Sequence, residues 1–247
     1  MWPQNWLGNL YSNLWLQKRR ETFTLSEITR LIGTKPKARV AVSQLKKIGL
    51  IYVFSVVDRR KQYVLGDPLL LPYLATGRLS NLHLVRQSRY ARLVGLFSAE
   101  AIRAFPQIRS IVIYGSLSRG VAERNSDVDL LVLMDSEESV GERIQRLSQL
   151  EGIERIREEL DWLDNHGIYT HISILPLTED EATHFPPVLL DIIEDGIPVV
   201  EDDTFLRLAS TLRSRLTQAD AKRVFLSPNE WYWDLAPRLR AGEVYAV

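Results

Sequence analysis

The sequence predicts an α/β chain, α+β in its finer organisation, in which a mixed sheet follows a smaller module of helices and a hairpin. Three observations carry that prediction. The first 66 residues run through three short helical patterns and two β-rich stretches. Apolar β runs at 111–114 and 126–133 frame a Gly-Ser turn, and helical and strand patterns alternate through the remainder. Composition agrees: 247 residues, 45% hydrophobic and 25% charged, describe an ordinary globular chain with room for two domains.

The opening helix is read from Leu7, Leu10 and Leu14, an i, i+3, i+7 stripe on which Trp6 and Trp15 also pack before Lys18-Arg19-Arg20. Thr24-Leu25-Ser26-Glu27 has the spacing of a capping box and starts a second helix, with Ile28 and Leu31 apolar and Gly33 as its stop. Pro36 opens a third, whose apolar side is Val40, Val42, Leu45 and Ile48 and whose end is Gly49. Residues 51–57 and 62–65 are β-rich and are separated by Asp58-Arg59-Arg60-Lys61. Pro68 and Pro72 then punctuate a connector that ends in a long helix from about Asn81 to Phe105.

Charge divides along the chain. Lys plus Arg and Asp plus Glu both total 31, yet residues 1–107 hold 17 basic and 5 acidic side chains, leaving the rest acidic. A basic module of this kind suits a polyanion, or is simply a solvated cationic face. Arg86, Arg89, Arg92 and Arg103 extend it into the connector. Cysteine is absent, which excludes a disulfide scaffold, thiolate metal sites and thiol catalysis. No apolar run reaches the ~20 residues that span a bilayer. The expectation is a cytoplasmic chain with no membrane partner.

Chemistry concentrates at 111–133. A buried-strand run ends in Gly115-Ser116, where glycine allows close backbone approach to phosphates and the following amides and the Ser116 hydroxyl can donate to them. Arg119 either holds phosphates or braces the loop. In the next strand Asp127 and Asp129 stand two positions apart and so share a face. Paired carboxylates there repel unless a cation lies between them, and Mg²⁺ favours one or two carboxylates plus substrate phosphates. His83, His166 and His184 are scattered, without metal-ligand spacing.

Gly115-Ser116, a ten-residue spacer and Asp127-Val128-Asp129, with Arg119-Gly120 and Ser126, resemble the nucleotidyltransferase superfamily of DNA polymerase β and the minimal nucleotidyltransferases. The resemblance implies a polymerase-β-like mixed sheet, two Mg²⁺ ions and a nucleoside triphosphate, with ATP expected. It implies Asp127 and Asp129 as metal ligands, and Gly115, Ser116, Arg119, Gly120 and Ser126 around the phosphates. A third carboxylate belongs on a later strand. Here that strand is expected at 168–175, after a helical stretch over about 137–165, and contains no Asp or Glu. Either His171 fills that role as base or ligand, or a remote acid reaches in, or the site binds nucleotide without transferring it.

Residues 4–67 resemble the winged helix-turn-helix family. That likeness implies DNA or RNA against Lys35, Lys37, Arg39, Ser43, Gln44 and Lys47 of the third helix, with Arg59, Arg60 and Lys61 at the wing tip on phosphates. Winged helices also dock proteins. The expected organisation is a winged helix at 1–67, a helical connector at 68–107, and a nucleotidyltransferase domain at 108–247 closed by C-terminal helices. The combination is similar to archaeal proteins, and a homodimer is compatible with it. The aromatic stretch from Trp231-Tyr232-Trp233-Asp234 through Gly242-Glu243-Val244-Tyr245 either stacks on bases or closes the core. Two functions from different classes follow: a Mg²⁺-dependent transfer of NMP from an NTP to a hydroxyl, or a catalytically inactive, nucleotide-sensing, DNA-binding regulator.

Overall fold

A computed structural model describes residues 4–184, 186–228 and 230–235. The chain opens with α1 (Asn5–Lys18), β1 (Phe23–Thr24), α2 (Leu25–Ile32), α3 (Lys35–Ile48), β2 (Ile51–Val57) and β3 (Arg60–Leu65). The stripe of α1 is buried at Leu7, Leu10, Tyr11 and Leu14, against Phe23, Ile28, Ala41 and Leu45. Thr24 and Glu27 form the reciprocal capping box at the start of α2. Gly33 and Gly49 close α2 and α3 in left-handed conformations. The strands form an antiparallel sheet in the order β1-β3-β2.

Two expectations change here. Val40 and Leu31 are exposed, and Ala38 and Ala41 take the core side of α3, because small side chains let α3 lie close against its neighbours. The hairpin turn is shorter than its basic run: Asp58 and Arg59 alone occupy it, both at positive φ, as a two-residue hairpin requires. Arg60 and Lys61 are already strand.

The connector contains α4 (Leu70–Thr76), 3₁₀ turns at Leu82–Leu84 and Ser88–Tyr90, and α5 (Ala91–Ala104). The helix expected from Asn81 therefore starts ten residues later. Asn81 is left-handed and its side-chain amide donates to the Pro198 carbonyl, which fixes the chain in a turn. Almost every residue of α5 is buried, making it the central helix of the molecule.

The second unit runs β4 (Ile108–Tyr114), α6 (Gly115–Arg119), β5 (Val128–Met134), α7 (Val140–Ser148), α8 (Glu154–Asp164), β6 (Ile172–Leu177), α9 (Glu179–Thr183), α10 (Val188–Asp195), β7 (Ile197–Val200), α11 (Thr204–Gln218), β8 (Lys222–Ser227) and β9 (Glu230–Asp234). Its four-stranded sheet has the order β6-β5-β4-β7; β4 is antiparallel to β5 and β7, and β5 is parallel to β6. Alternation assigns the faces. Ile111, Ile113, Leu130 and Val132 pack with α5 and α8, while Val112, Leu131 and Leu133 pack with α10 and α11.

The helical stretch after β5 is divided by a 3₁₀ turn at Gln149–Gly152. The third strand begins at Ile172, four residues later than expected, because residues 168–171 run as a loop held by Tyr169 N–H to Arg124 O and Val128 N–H to His171 O. The C-terminal helices are α10 and α11, after which the described chain runs into the β8–β9 hairpin. Trp231 to Asp234 lie in β9, whereas Gly242 to Tyr245 fall outside the described residues. No described helix is long and apolar enough to cross a membrane.

The two units are joined by charge and aromatic contacts. Arg20 reaches Glu158 at 2.9 Å, Arg155 reaches Asp67 at 3.0 Å, and buried Arg92 reaches buried Glu159 at 2.7 Å. Phe54 of β2 packs edge-on against Trp162 of α8 at 4.7 Å.

Candidate active site

The antiparallel pairing of β4 with β5 sets Tyr114 opposite Asp129, so the Gly-Ser turn leaving β4 meets the paired acids opening β5. Gly115 has φ +71°, and a Cβ built on it would lie 2.3 Å from Asp129 Oδ2. Glycine is therefore required twice, for the left-handed backbone and for the space that the carboxylate fills. Ser118 Oγ donates to Gly115 O at 3.0 Å, and Val121 N–H donates to Ser116 O at 3.0 Å. Together these bonds hold the turn. Ser116 and Arg119 are half-buried beside it.

Asp129 is half-buried and hydrogen-bonded to Ser173, its register neighbour on β6. Burial raises its carboxyl above the ordinary range. Ser173 opposes this, Asp127 adds to it, and Arg119 and His171 oppose it. The net displacement is upward, with burial the largest cause. Burial, and then the charge of Asp129, push the Tyr114 hydroxyl up to about 12.

Asp127 stands just ahead of β5, and its Oδ2 lies 3.2 Å from Nε2 of His171. His171 is 67% exposed at the mouth of the site. The structure thus brings Asp127, Asp129, His171, Gly115, Ser116 and Arg119 together along the edge formed by the end of β4 and the start of β5. Where a third acid would face the pair, β6 offers Ser173 and the loop before it offers His171. Among the described residues, no group of three or more His, Asp or Glu side chains could hold a metal unaided.

Ser126 and Gly120 shape the intervening loop. Ser126 Oγ accepts from Glu123 N–H at 2.8 Å, and Gly120, at φ +77°, leaves room for Arg86, whose Cδ would lie 2.7 Å from an added Cβ. Arg119 meets an element distant in sequence, because its guanidinium carbon lies 4.9 Å from the Trp231 ring centre. Trp231 and Trp233 donate their indole N–H groups to Asp191 Oδ1 at 2.8 and 3.0 Å. Arg223, paired with Asp195, covers the other contact of Trp231 at 3.9 Å. Sequence reasoning missed Ser173, Asp191, Arg223 and the role of Trp231. The only available signal was the aromatic density of 231–233.

On the first unit, Lys35, Lys37, Arg39, Ser43, Gln44 and Lys47 are exposed on α3, opposite its buried Ala38, Ala41, Val42 and Leu45. Arg59, Arg60 and Lys61 are exposed at the hairpin tip. Of the connector arginines, Arg92 leaves the expected cationic surface, buried against Glu159, while Arg103 stays exposed and pairs with Glu100 at 2.5 Å. Ionic demand inside the joint explains the first, and the i, i+3 spacing on α5 the second.

Residues 98–199 match the family model described as a nucleotidyltransferase domain. None of the curated proteins matches the chain. Among solved structures, a toxin–antitoxin with AMP-PNP is similar at 18% identity, covering 50% of this chain and 90% of that one, with a TM-score of 0.33. A mutant of the toxin–antitoxin MntA-HpeT is similar at 18% identity over 49% of this chain and 87% of that one, with a TM-score of 0.32. The matched segment contains the Gly-Ser turn, the paired aspartates and all four strands of a mixed sheet except the last residue of β7, an arrangement consistent with a polymerase-β-like nucleotidyltransferase fold.

Proposed function

We propose that this chain transfers NMP from a nucleoside triphosphate, ATP by expectation, to a hydroxyl acceptor at the Asp127–Asp129 edge. One observation carries the reading: Gly115 is left empty of a side chain so that Asp129 can stand against the turn, with Asp127 alongside. That donor set fits Mg²⁺. It supplies two hard carboxylates, one raised by burial and by its neighbour's charge, while the remaining positions fall to substrate oxygens. Bound there, Mg²⁺ would supply positive charge for the α-phosphate and the departing pyrophosphate.

The chain's own groups do the rest. Ser116 and the amides after Gly115 hold phosphate oxygens, and Arg119, steadied on Trp231, balances their charge. His171, with Nε2 toward Asp127, has Nδ1 left to take the acceptor's proton as its oxygen bonds to the α-phosphorus. The first unit, read as a winged helix, presents Lys35, Lys37, Arg39, Gln44 and Lys47 on α3 and Arg59, Arg60 and Lys61 at the wing to DNA or RNA.

Incubation with α-labelled ATP, Mg²⁺ and hydroxyl acceptors tests the transfer. Label should pass with release of pyrophosphate, fall to background in Asp127→Asn/Asp129→Asn, and fall sharply in His171→Ala. Absence of a carboxylate on β6 favours a second reading, in which the site senses nucleotide for a DNA-binding regulator. Nucleotide uptake without pyrophosphate release selects that reading instead.

A further inference from the structure

Between the hairpin of the first unit and the loop of the second lies a cleft of about 340 Å³ lined by Lys46, Lys61, Arg86 and Arg89, with Phe54 and Ser88. Four cations from three separate segments converge there, and no acid lines it. Among the described residues, no carboxylate pairs with any of the four, although most other arginines near the joint are paired. Arg89 Nε is moreover buried without a hydrogen-bond partner. Lys61 and Arg86 are exposed and Lys46 and Arg89 half-buried, so the cleft presents positive charge that an anion would complement.

One wall of the cleft touches the loop that joins α6 to β5. The aliphatic stem of Arg86 packs on Gly120, next to Arg119. The Gln87 side chain accepts from Ala122 N–H at 3.0 Å and donates to Ala122 O, to which Arg89 also donates at 3.3 Å. Tyr90 OH donates to Glu123 O at 2.6 Å. On the other wall, Ser88 Oγ donates to Val53 O at 2.8 Å, tying the same segment to β2. Residues 86–90 are thus bonded on one side to the hairpin and on the other to the loop between Arg119 and Asp127.

We propose that this cleft holds the phosphodiester backbone of a nucleic-acid strand and leads its end to the Asp127–Asp129 edge, making a nucleic-acid terminus the acceptor. A row of cations fits successive phosphates, and the aromatic and aliphatic wall formed by Phe54 fits sugar and base. The acceptor assignment rests on the nucleotidyl-transfer reading; the binding does not. In the step itself, the terminal hydroxyl oxygen bonds to the α-phosphorus while the bond from that phosphorus to the bridging oxygen breaks. The bond's electron pair leaves with pyrophosphate, and the hydroxyl proton passes to His171.

Lys46→Met/Arg86→Met removes two charges and keeps both apolar stems; Lys46→Arg/Arg86→Lys keeps the charges. Anisotropy of a labelled single-stranded oligonucleotide, and of a duplex with a single-stranded 3′ overhang, should show at least tenfold weaker binding for the Met pair. Its log K against log salt slope should be shallower by about 1.4, at roughly 0.7 for each single-strand phosphate that is no longer neutralised. The charge-keeping pair should bind as wild type, separating charge removal from misfolding. In the transfer assay the Met pair should raise KM for the oligonucleotide and leave KM for ATP unchanged. Unaltered oligonucleotide affinity and salt slope in the Met pair would overturn the proposal. So would weakened metal-free ATP or inorganic pyrophosphate binding with oligonucleotide binding intact, which would make the cleft a small-anion site. Cleft-dependent oligonucleotide binding with no label transferred to any acceptor supports the cleft and removes the transfer reading. Label passing to another acceptor, indifferent to the Met pair, does the reverse.

Discussion

At Gly115 a single missing methyl group decides whether Asp129 can occupy the site. Gly115→Ala places a Cβ 2.3 Å from Asp129 Oδ2 and forces an L-residue to φ +71°. We expect a cost of about 1–3 kcal/mol and loss of transfer, read by thermal melting and by label release; a variant that melts and transfers as wild type would show that the close approach is dispensable. Asp129→Asn acts in the opposite sense on the unliganded fold. It removes a half-buried charge whose burial opposes ionisation, so the melting temperature should rise, by about 2–4 °C per kcal/mol relieved. Stabilisation by Mg²⁺ with ATP should vanish in the same variant. Both residues stood out in the sequence because a Gly-Ser turn and paired acids at fixed spacing form a local motif. Ser173 was not, because its role depends on the parallel register of β6 with β5.

Among the elements, the short helix α9 is held by one charge pair. Arg143 of α7 is fully buried and donates to Glu181 of α9 at 2.5 and 2.6 Å. Burial alone would raise the Glu181 carboxyl, but Arg143 and the Thr178 cap hold it below its ordinary value of 4.5. The unfolded chain therefore takes up this proton at higher pH than the folded one. The stabilisation is full above about pH 4.5 and is lost as pH falls through the lower, folded value. Glu181→Gln should cost about 1–3 kcal/mol at pH 7, reduced from the fully buried case because Glu181 is partly solvated. The gap to wild type should close in acid, as urea melts at pH 7 and pH 3 would show. The capping boxes and glycine stops that delimit α2 and α3 were readable because they are local. The start of α5 and the break between α7 and α8 were not. Asn81 turns on a bond to Pro198, and such long-range partners leave no trace in local periodicity.

Across the whole molecule, Arg92 of α5 and Glu159 of α8, both buried and 2.7 Å apart, are tied to the first unit by Arg92 donating to Leu65 O at 3.2 Å and by Arg20 at 3.6 Å from Glu159. Burial pushes the Glu159 carboxyl up despite the pull of Arg92 and Arg20. Glu159→Ala should cost about 3–5 kcal/mol by stranding Arg92, whereas Arg92→Met/Glu159→Met should cost less than either single change. Calorimetry of the three variants checks this, and a single transition splitting in two for Glu159→Ala would show the units uncoupling. The charge count suggested that Arg92 was surface, because composition cannot distinguish a solvated arginine from one committed to a partner 67 residues away. The β8–β9 hairpin has a comparable reach. Trp231 lies between Arg223 and Arg119, far along the chain from the glycine turn, with its indole N–H fixed on Asp191. In the proposed reaction a triphosphate held by Arg119 would bring negative charge beside that ring. In a variant whose other five tryptophans are replaced by phenylalanine, the emission of Trp231 should therefore brighten or shift on addition of nucleotide, giving an optical gauge of occupancy.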